Sequence, residues 1–388
     1  MEAYLDNSAT TRCSERVQKI VCAAMDEAYG NPSSMHKKGM EAEHYVREAA
    51  QKIAKTLKVS EKEIIFTSGG TESNNLALIG TAMANRRSGN RLITTQIEHP
   101  SVLNTMEYLR EQGFEIIYLP VDQKGVILLD ALREALDPTT ILVSMMQVNN
   151  EIGSIQPIAE AAKIIHENNA RTLFHVDAVQ SYGKMLIRPK TLGVDLLSVS
   201  GHKIHGPKGV GFLYRKEKTK IKPVLFGGGQ QYGLRSGTYN VPGIAGMGEA
   251  AAEAYENLEQ KIAGLYELKD RLIAKTAAID GIVVNGDAGR DSAPHILNLS
   301  VSGVRSEVML HALEEYGIYV SAGSACASNH PQPSHTLTAL HLAPERIESA
   351  LRFSFCCGTQ IGTKAEEIDY AADKLAELTT KLRRYARH

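Results

Sequence analysis

Val194-Asp195-Leu196-Leu197-Ser198-Val199-Ser200-Gly201-His202-Lys203 is an apolar, β-branched run, Val194 to Val199, that closes on Ser-Gly-His-Lys and opens onto a Gly- and Pro-rich turn through Gly211. The run reads as a buried strand. Lys203 then sits just beyond its carboxyl end, where open α/β sheets place ligands. A primary amine in that position suits Schiff-base chemistry with an aldehyde. An isolated Ser-x-His-Lys also reads as an ordinary loop, so a second residue has to decide.

That residue lies upstream. Thr172 to Val176 is another strand-like run, and it ends on Asp177. A lysine imine together with an acid against a pyridine nitrogen is the pairing that pyridoxal phosphate requires. The interval between Asp177 and Lys203 leaves room for a crossover between neighbouring strands.

The same layout extends along the chain. Strands are expected at Glu63–Thr67, Arg91–Thr95, Glu115–Pro120, Thr140–Gln147, Thr172–Val176, Val194–Val199 and Val210–Tyr214, with helical patterns at Ser14–Tyr29, Gly39–Leu57 and Ile158–Asn168. This alternation predicts a mostly parallel sheet covered by helices. Beyond about residue 240 the pattern changes to one long helix, Gly243 to about Ala277. Isolated strands at Ile296–Ser300 and Ile318–Ser321 follow, then a basic C-terminal helix from about Lys364 to Ala386. The expected division is a large domain, 14–260, and a smaller α+β domain formed by 1–13 and 261–388. A chain of 388 residues exceeds the roughly 250–300 at which single cores stop growing.

Composition excludes several classes. A formal net charge of −1 gives no reason to expect nucleic acid or an anionic membrane as main partner. Five cysteines without framework spacing argue for a reducing compartment. The start, Met-Glu-Ala-Tyr-Leu-Asp, has no basic and apolar leader pattern, and no apolar run is long enough to span a bilayer. A soluble, cytoplasmic protein is expected. No cysteine–histidine cluster has metal-ligand spacing; His202, His205, His330 and His335 read as turn and loop residues.

Other chemistry-bearing residues also follow strand ends. Thr67-Ser68-Gly69-Gly70-Thr71 joins a strand to an apolar helix, Leu76–Ala84, and helix N-termini supply N–H groups to phosphate. His99, in Glu98-His99-Pro100-Ser101, offers an imidazole for stacking or proton transfer, and also reads as a turn residue. Asn149-Asn150-Glu151 follows Thr140–Gln147 in the same manner. Thr71, His99, Asn150, Asp177 and Lys203 would converge on one rim of the sheet. Cys326, in Ser324-Ala325-Cys326-Ala327-Ser328, lies among small residues before Pro331 and Pro333, a setting that suits an exposed thiolate. Arg352 interrupts an apolar strand-like run, Ala350–Ser354. Its fork fits a bidentate carboxylate, from substrate or from a protein Asp or Glu.

Taken together, Tyr4-Leu5-Asp6-Asn7-Ser8-Ala9-Thr10-Thr11, Gly30-Asn31-Pro32-Ser33-Ser34 and the segments above resemble the cysteine desulfurases of the NifS/IscS class, within the fold-type I pyridoxal phosphate enzymes. The Cys326 loop resembles the longer loop of that group. The resemblance implies a homodimer that converts L-cysteine to alanine, loads sulfur on Cys326 as a persulfide and passes it to an acceptor: an iron–sulfur scaffold, a tRNA thiolation enzyme or a dedicated partner. It implies the Schiff base on Lys203, the pyridine nitrogen on Asp177, and the cofactor's phenolic side on Gln180 and Asn150. His99 would stack on the ring and manage the substrate thiol proton. Gly70, Thr71, Ser200 and His202 would hold the phosphate, joined by Thr238 from the second copy. Arg352, with Asn150, would take the substrate carboxylate.

The chain departs from the family pattern in two places. Phe226-Gly227-Gly228-Gly229-Gln230-Gln231-Tyr232-Gly233 stands where His-Gly-Gly-Gly-Gln-Glu-Arg-Gly is common. Phe355-Cys356-Cys357-Gly358-Thr359-Gln360-Ile361-Gly362 stands where Leu-Gly-Arg is usual, and both segments are expected near the dimer and substrate mouth. Alternatives within the cofactor class are a selenocysteine lyase, a β-eliminating cysteine lyase and an aminotransferase. From another class, a sulfur-assembly scaffold would use its basic C-terminal helix to bind partners.

Overall fold

A computed structural model of the chain describes residues 1–322, 333–358 and 361–384. Its largest sheet has seven strands in the order Ile64–Thr67, Gly211–Arg215, Leu196–Ser200, Leu173–Asp177, Thr140–Met146, Arg91–Thr95 and Glu115–Leu119. Neighbours are parallel except for Gly211–Arg215, which runs against both of its partners. The sheet is therefore mostly parallel and covered on both faces, as the strand–helix alternation leads one to expect.

Alternation within the strands sends successive side chains to opposite faces. Leu92 and Leu142 pack with Val102 and Met106 of the helix Pro100–Glu111 and with Leu78 of the helix Gly70–Asn85. Ile93 and Val143, one residue on, pack with Ile53, Ile165 and Met247 on the other side. A strand buried on both faces must be apolar at nearly every position, which is why these runs stand out in the sequence. Side chains at the helix ends fix where the helices begin. Ser14 Oγ accepts from Val17 N at 3.2 Å and starts the helix Glu15–Asp26. His99 caps Pro100–Glu111 through Nδ1, with Pro100 at the first helical position.

The long helix expected from Gly243 to Ala277 is two helices, Val241–Tyr255 and Leu258–Thr276. Asn257 sits between them in the left-handed region, φ 51°, which a short polar side chain tolerates. The first helix packs on Glu15–Asp26 and Lys37–Leu57, the second on Ala365–Arg383. One straight helix could not serve both.

A second sheet is antiparallel, in the order Ser321–Ala322, Ala350–Ser354, Ile296–Val301 and Ile282–Asn285. The strand expected at Ile318–Ser321 is divided: Ile318–Tyr319 pairs in parallel with Ala3–Tyr4, and Ser321–Ala322 pairs with Ala350–Ser354. The N-terminal strand thereby joins the C-terminal region, where Ala3 and Leu5 share a core with Leu299, Phe353 and Leu375. Among the described residues, no helix is long and apolar enough to cross a membrane.

Candidate active site

A cleft of about 640 Å³ opens at the carboxyl ends of the parallel strands, where the large sheet meets residues 6–9, 321–322 and 333–335. It is lined by Gly70, Thr71, His99, Asn150, Asp177, Gln180, Ser200, His202, Lys203 and Arg352. All but Arg352 end or follow a strand of the large sheet, and Arg352 reaches the cleft from within Ala350–Ser354 of the antiparallel sheet.

Lys203 closes a 3₁₀ turn, Gly201–Lys203, after the strand Leu196–Ser200. Its Nζ donates to the backbone oxygens of Ser8 and, at 2.8 Å, of Ala9. Asp177 is the buried last residue of its strand. Its Oδ1 accepts from Val179 N at 2.9 Å and its Oδ2 from Asn74 Nδ2 at 2.7 Å. Asn74 and Ser101 did not emerge from the sequence. They link Asp177 to His99, because Asn74 Nδ2 also donates to Ser101 Oγ at 2.8 Å and Ser101 Oγ lies 2.9 Å from His99 Nδ1.

Charge states follow from the surroundings. Ser101 N donates to His99 Nδ1 at 3.1 Å, so the neutral ring carries its proton on Nε2. Burial holds the His99 pKa below its ordinary value, opposed by Asp177 and reinforced by Lys203 and His335. His202 is pushed down to about 4 by burial and then by Lys203. Glu98 is fully buried and pushed up to about 8 by desolvation. Its Oε1 accepts from Thr95 Oγ1 and Met146 N, while its Oε2 has no partner among the described residues. His335 Nε2 meets the Glu98 carbonyl at 2.9 Å, so this histidine braces the His99 turn.

Arg352 has a protein carboxylate as partner and also lines the cleft. Its Nη2 pairs with Asp6 Oδ1 at 2.8 Å and its Nη1 donates to Asn150 O at 2.8 Å. Its Nε is buried without a partner among the described residues, and the side chain still borders the cleft. Ser68 is exposed and lines no part of the cleft; its N–H is taken by Glu72 at 2.8 Å. Thr238 is exposed and does not line the cleft of its own chain. Cys326 lies outside the described residues.

The donor set fits pyridoxal phosphate. The helix Gly70–Asn85 has no side-chain cap, which leaves first-turn N–H groups for an anion. Gly69, at φ 152°, permits the tight entry. A Cβ on Gly70 would come within 2.8 Å of Val179 Cγ2, so only glycine brings that turn so close to the loop after Asp177. Ser200 and His202 face the same end. Gln180 Oε1 and Asn74 Oδ1 are buried polar atoms without partners among the described residues.

Comparison with known proteins settles the lineage. The family of class-V aminotransferases matches residues 3–370. The chain belongs to that family. It is 44% identical over 382 residues to a protein of Bacillus subtilis named putative cysteine desulfurase IscS 1, covering 98% of this chain and 99% of the relative. It is likewise 44% identical over 380 residues to the cysteine desulfurase IscS of Methanosarcina thermophila, covering 98% and 92%. Among solved structures, a NifS-like protein superposes with a TM-score of 0.91 at 40% identity, covering 98% of this chain and all of the other. DndA from Streptomyces lividans does so with 0.77, also at 40% identity, over 92% of this chain.

Among the described residues, neither segment that departs from the family pattern lines the cleft. Phe355 to Gly358 lines a separate cavity behind Lys203. Burial raises both thiols there, Cys357 to about 11, which suits packing. Among the described residues no group of three or more His, Cys, Asp or Glu is arranged to hold a metal ion.

Proposed function

We propose that the chain is a pyridoxal-phosphate-dependent cysteine desulfurase that takes sulfur from L-cysteine, releases alanine and carries the sulfur as a persulfide on Cys326. The observation that carries this reading is the convergence of Lys203, Asp177, His99 and Arg352 on one cleft, in a chain similar along nearly its whole length to proteins named cysteine desulfurase.

Bound through Lys203, the cofactor supplies an aldehyde that captures an amino group and an electron-poor ring that acidifies Cα–H. The protein's own residues do the rest. Asp177, fixed by Asn74 and Val179, would accept the hydrogen bond of the protonated pyridine nitrogen. Gly70, Thr71, Ser200 and His202 anchor the phosphate. Arg352 grips the substrate carboxylate with Asn150 beside it and orients Cα toward the Lys203 amine, which takes the Cα proton. His99, with its proton on Nε2, exchanges the proton of the substrate thiol. The Cys326 thiolate forms an S–S bond as the substrate Cβ–S bond breaks, and a proton completes the methyl group of alanine. No external oxidant is needed, because the sulfur atom is transferred with its bonds balanced.

A second copy of the chain is part of the proposal. Leu225, Phe226 and Tyr232 expose large apolar area on the segment that ends at Thr238, and Thr238 would complete the neighbour's phosphate site. Incubation with L-cysteine tests the reading: it predicts one alanine per sulfur loaded, with the added sulfur on Cys326. Alanine production undiminished in Cys326→Ala would contradict it.

A further inference from the structure

One buried acid next to the cleft takes no part in the proposed reaction. Glu98 is fully buried and does not line the cleft, although the next residue, His99, does. Its Oε1 accepts from Thr95 Oγ1 at 2.7 Å and from Met146 N at 2.9 Å. Thr95 ends the strand Arg91–Thr95, and Met146 ends the neighbouring strand Thr140–Met146. The carboxyl group therefore ties the turn before His99 to the ends of two adjacent strands. Two further tethers hold the backbone of the same turn. Asn149 Nδ2 donates to Ile97 O at 3.0 Å, and His335 Nε2 meets Glu98 O at 2.9 Å.

Among the described residues Glu98 forms no ion pair, and its Oε2 has no hydrogen-bond partner. The titratable groups around it bring no positive charge to the carboxyl. His335 meets only the backbone oxygen, and His99 turns Nδ1 to Ser101. Glu151, on the turn that carries Asn149, takes Ser334 Oγ at 2.5 Å. Asp177 opposes a second negative charge. A dry carboxylate that faces no cation is costly, and such a group takes up a proton instead. Burial pushes Glu98 up to about 8 against its bonds to Thr95 and Met146, and Asp177 adds to the rise. As the acid, Glu98 still offers its carbonyl oxygen to both donors.

We propose that Glu98 is a positioning residue that works as the uncharged acid: its carbonyl oxygen holds Thr95 and Met146 and so sets the His99 turn at the cleft. The proposal rests on the desulfurase reading for what His99 does there. Ionisation of Glu98 would put a second charge in the same dry layer as Asp177 and disturb the turn. The rate should therefore fall as pH rises through the Glu98 value.

Glu98→Gln keeps the shape and the carbonyl oxygen and cannot ionise. In the cofactor-loaded enzyme at pH 7 it should hold kcat within about threefold of wild type, whereas Glu98→Ala, which strips Met146 N and Thr95 Oγ1 of their acceptor, should lose roughly tenfold or more. KM for L-cysteine should move little in either variant, because Arg352 is untouched. Wild-type kcat should decline as pH rises through about 8, and Glu98→Gln should lack that decline. The infrared difference between the loaded wild type and Glu98→Gln supplies a readout independent of turnover. Near pH 6 it should show the carbonyl stretch of a protonated carboxyl group, fading as pH rises through about 8. Absence of that band, a loss in Glu98→Gln as large as in Glu98→Ala, or an alkaline decline that persists in Glu98→Gln overturns the proposal. Should Glu98→Ala fold poorly, the pH profile of Glu98→Gln decides. A wild type that makes no alanine speaks against the desulfurase reading instead, and the infrared band then decides the state of Glu98 by itself.

Discussion

Asn74 Nδ2 lies 2.7 Å from Asp177 Oδ2, and the same nitrogen donates at 2.8 Å to Ser101 Oγ, the hydroxyl that meets His99. A helix residue thus ties Asp177, the acid proposed for the pyridine nitrogen, to His99, the imidazole proposed to stack on the ring. Hydrogen bonds to charged groups contribute about 1.5–3 kcal/mol. Asn74→Ala should therefore slow alanine formation by roughly tenfold to a hundredfold. It should also weaken retention of pyridoxal phosphate, read by dialysis and visible absorbance. Unchanged retention and rate would remove Asn74 from the site.

Arg352 and Asp6 share a similar dependence. If Arg352 grips the substrate carboxylate, Arg352→Lys loses the planar fork, and KM for L-cysteine should rise at least tenfold with a smaller change in kcat. Asp6→Asn, which removes the pairing oxygen's charge, should have a weaker effect in the same direction. Steady-state kinetics on both variants checks the order.

The pH dependence has a definite sign. Burial holds His99 below the ordinary imidazole value of 6.5, so the acid limb that His99 sets on kcat/KM should fall below pH 6.5. His99→Gln should abolish that limb along with most of the rate. An acid limb above pH 6.5 that vanishes in His99→Gln would contradict this, and an alkaline limb that vanishes in that variant would show that His99 works as a cation.

Stability carries a second pH signature. His175 is fully buried between Ser144 Oγ, 2.8 Å, and Ser198 Oγ, 2.9 Å, and burial pushes it down to about 3. The unfolded chain protonates this ring near 6.5 and the folded chain does not. The contribution of neutral His175 is therefore fully present above pH 6.5 and is lost as pH falls from there toward 3. The slope approaches ~1.4 kcal/mol per pH unit. Urea midpoints between pH 7 and 4 should fall less steeply in His175→Gln.

The thiols should differ in reactivity. Cys22 is exposed, while burial raises Cys356 and Cys357. Iodoacetamide at pH 7.5, followed by mass spectrometry, should label Cys22 well before either member of the vicinal pair. Labelling of Cys357 ahead of Cys22 would revise the view of this pair as packing.

Much of this was legible because strands leave a local record. Asp177 and Lys203 end or follow apolar runs, and in a covered sheet such runs can only be central strands. His99 and Asn150 follow strands for the same reason. What stayed hidden depends on contacts far apart in the chain. Asp6 reaches Arg352 only because the N-terminal strand crosses to the C-terminal region, and Asn74 reads as one polar residue in a helix. The reversal of Gly211–Arg215 leaves no mark on its composition. The break at Asn257 was missed because helical periodicity continues on both sides of it.

The most direct test of the central claim is to load the purified protein with pyridoxal phosphate, add L-cysteine without reductant, and map added sulfur by mass spectrometry. The account predicts a yellow protein, alanine as product, and one extra sulfur on Cys326 that is absent in Lys203→Ala. A yellow protein that consumes L-cysteine without a persulfide on Cys326, or one whose persulfide survives Lys203→Ala, would contradict it.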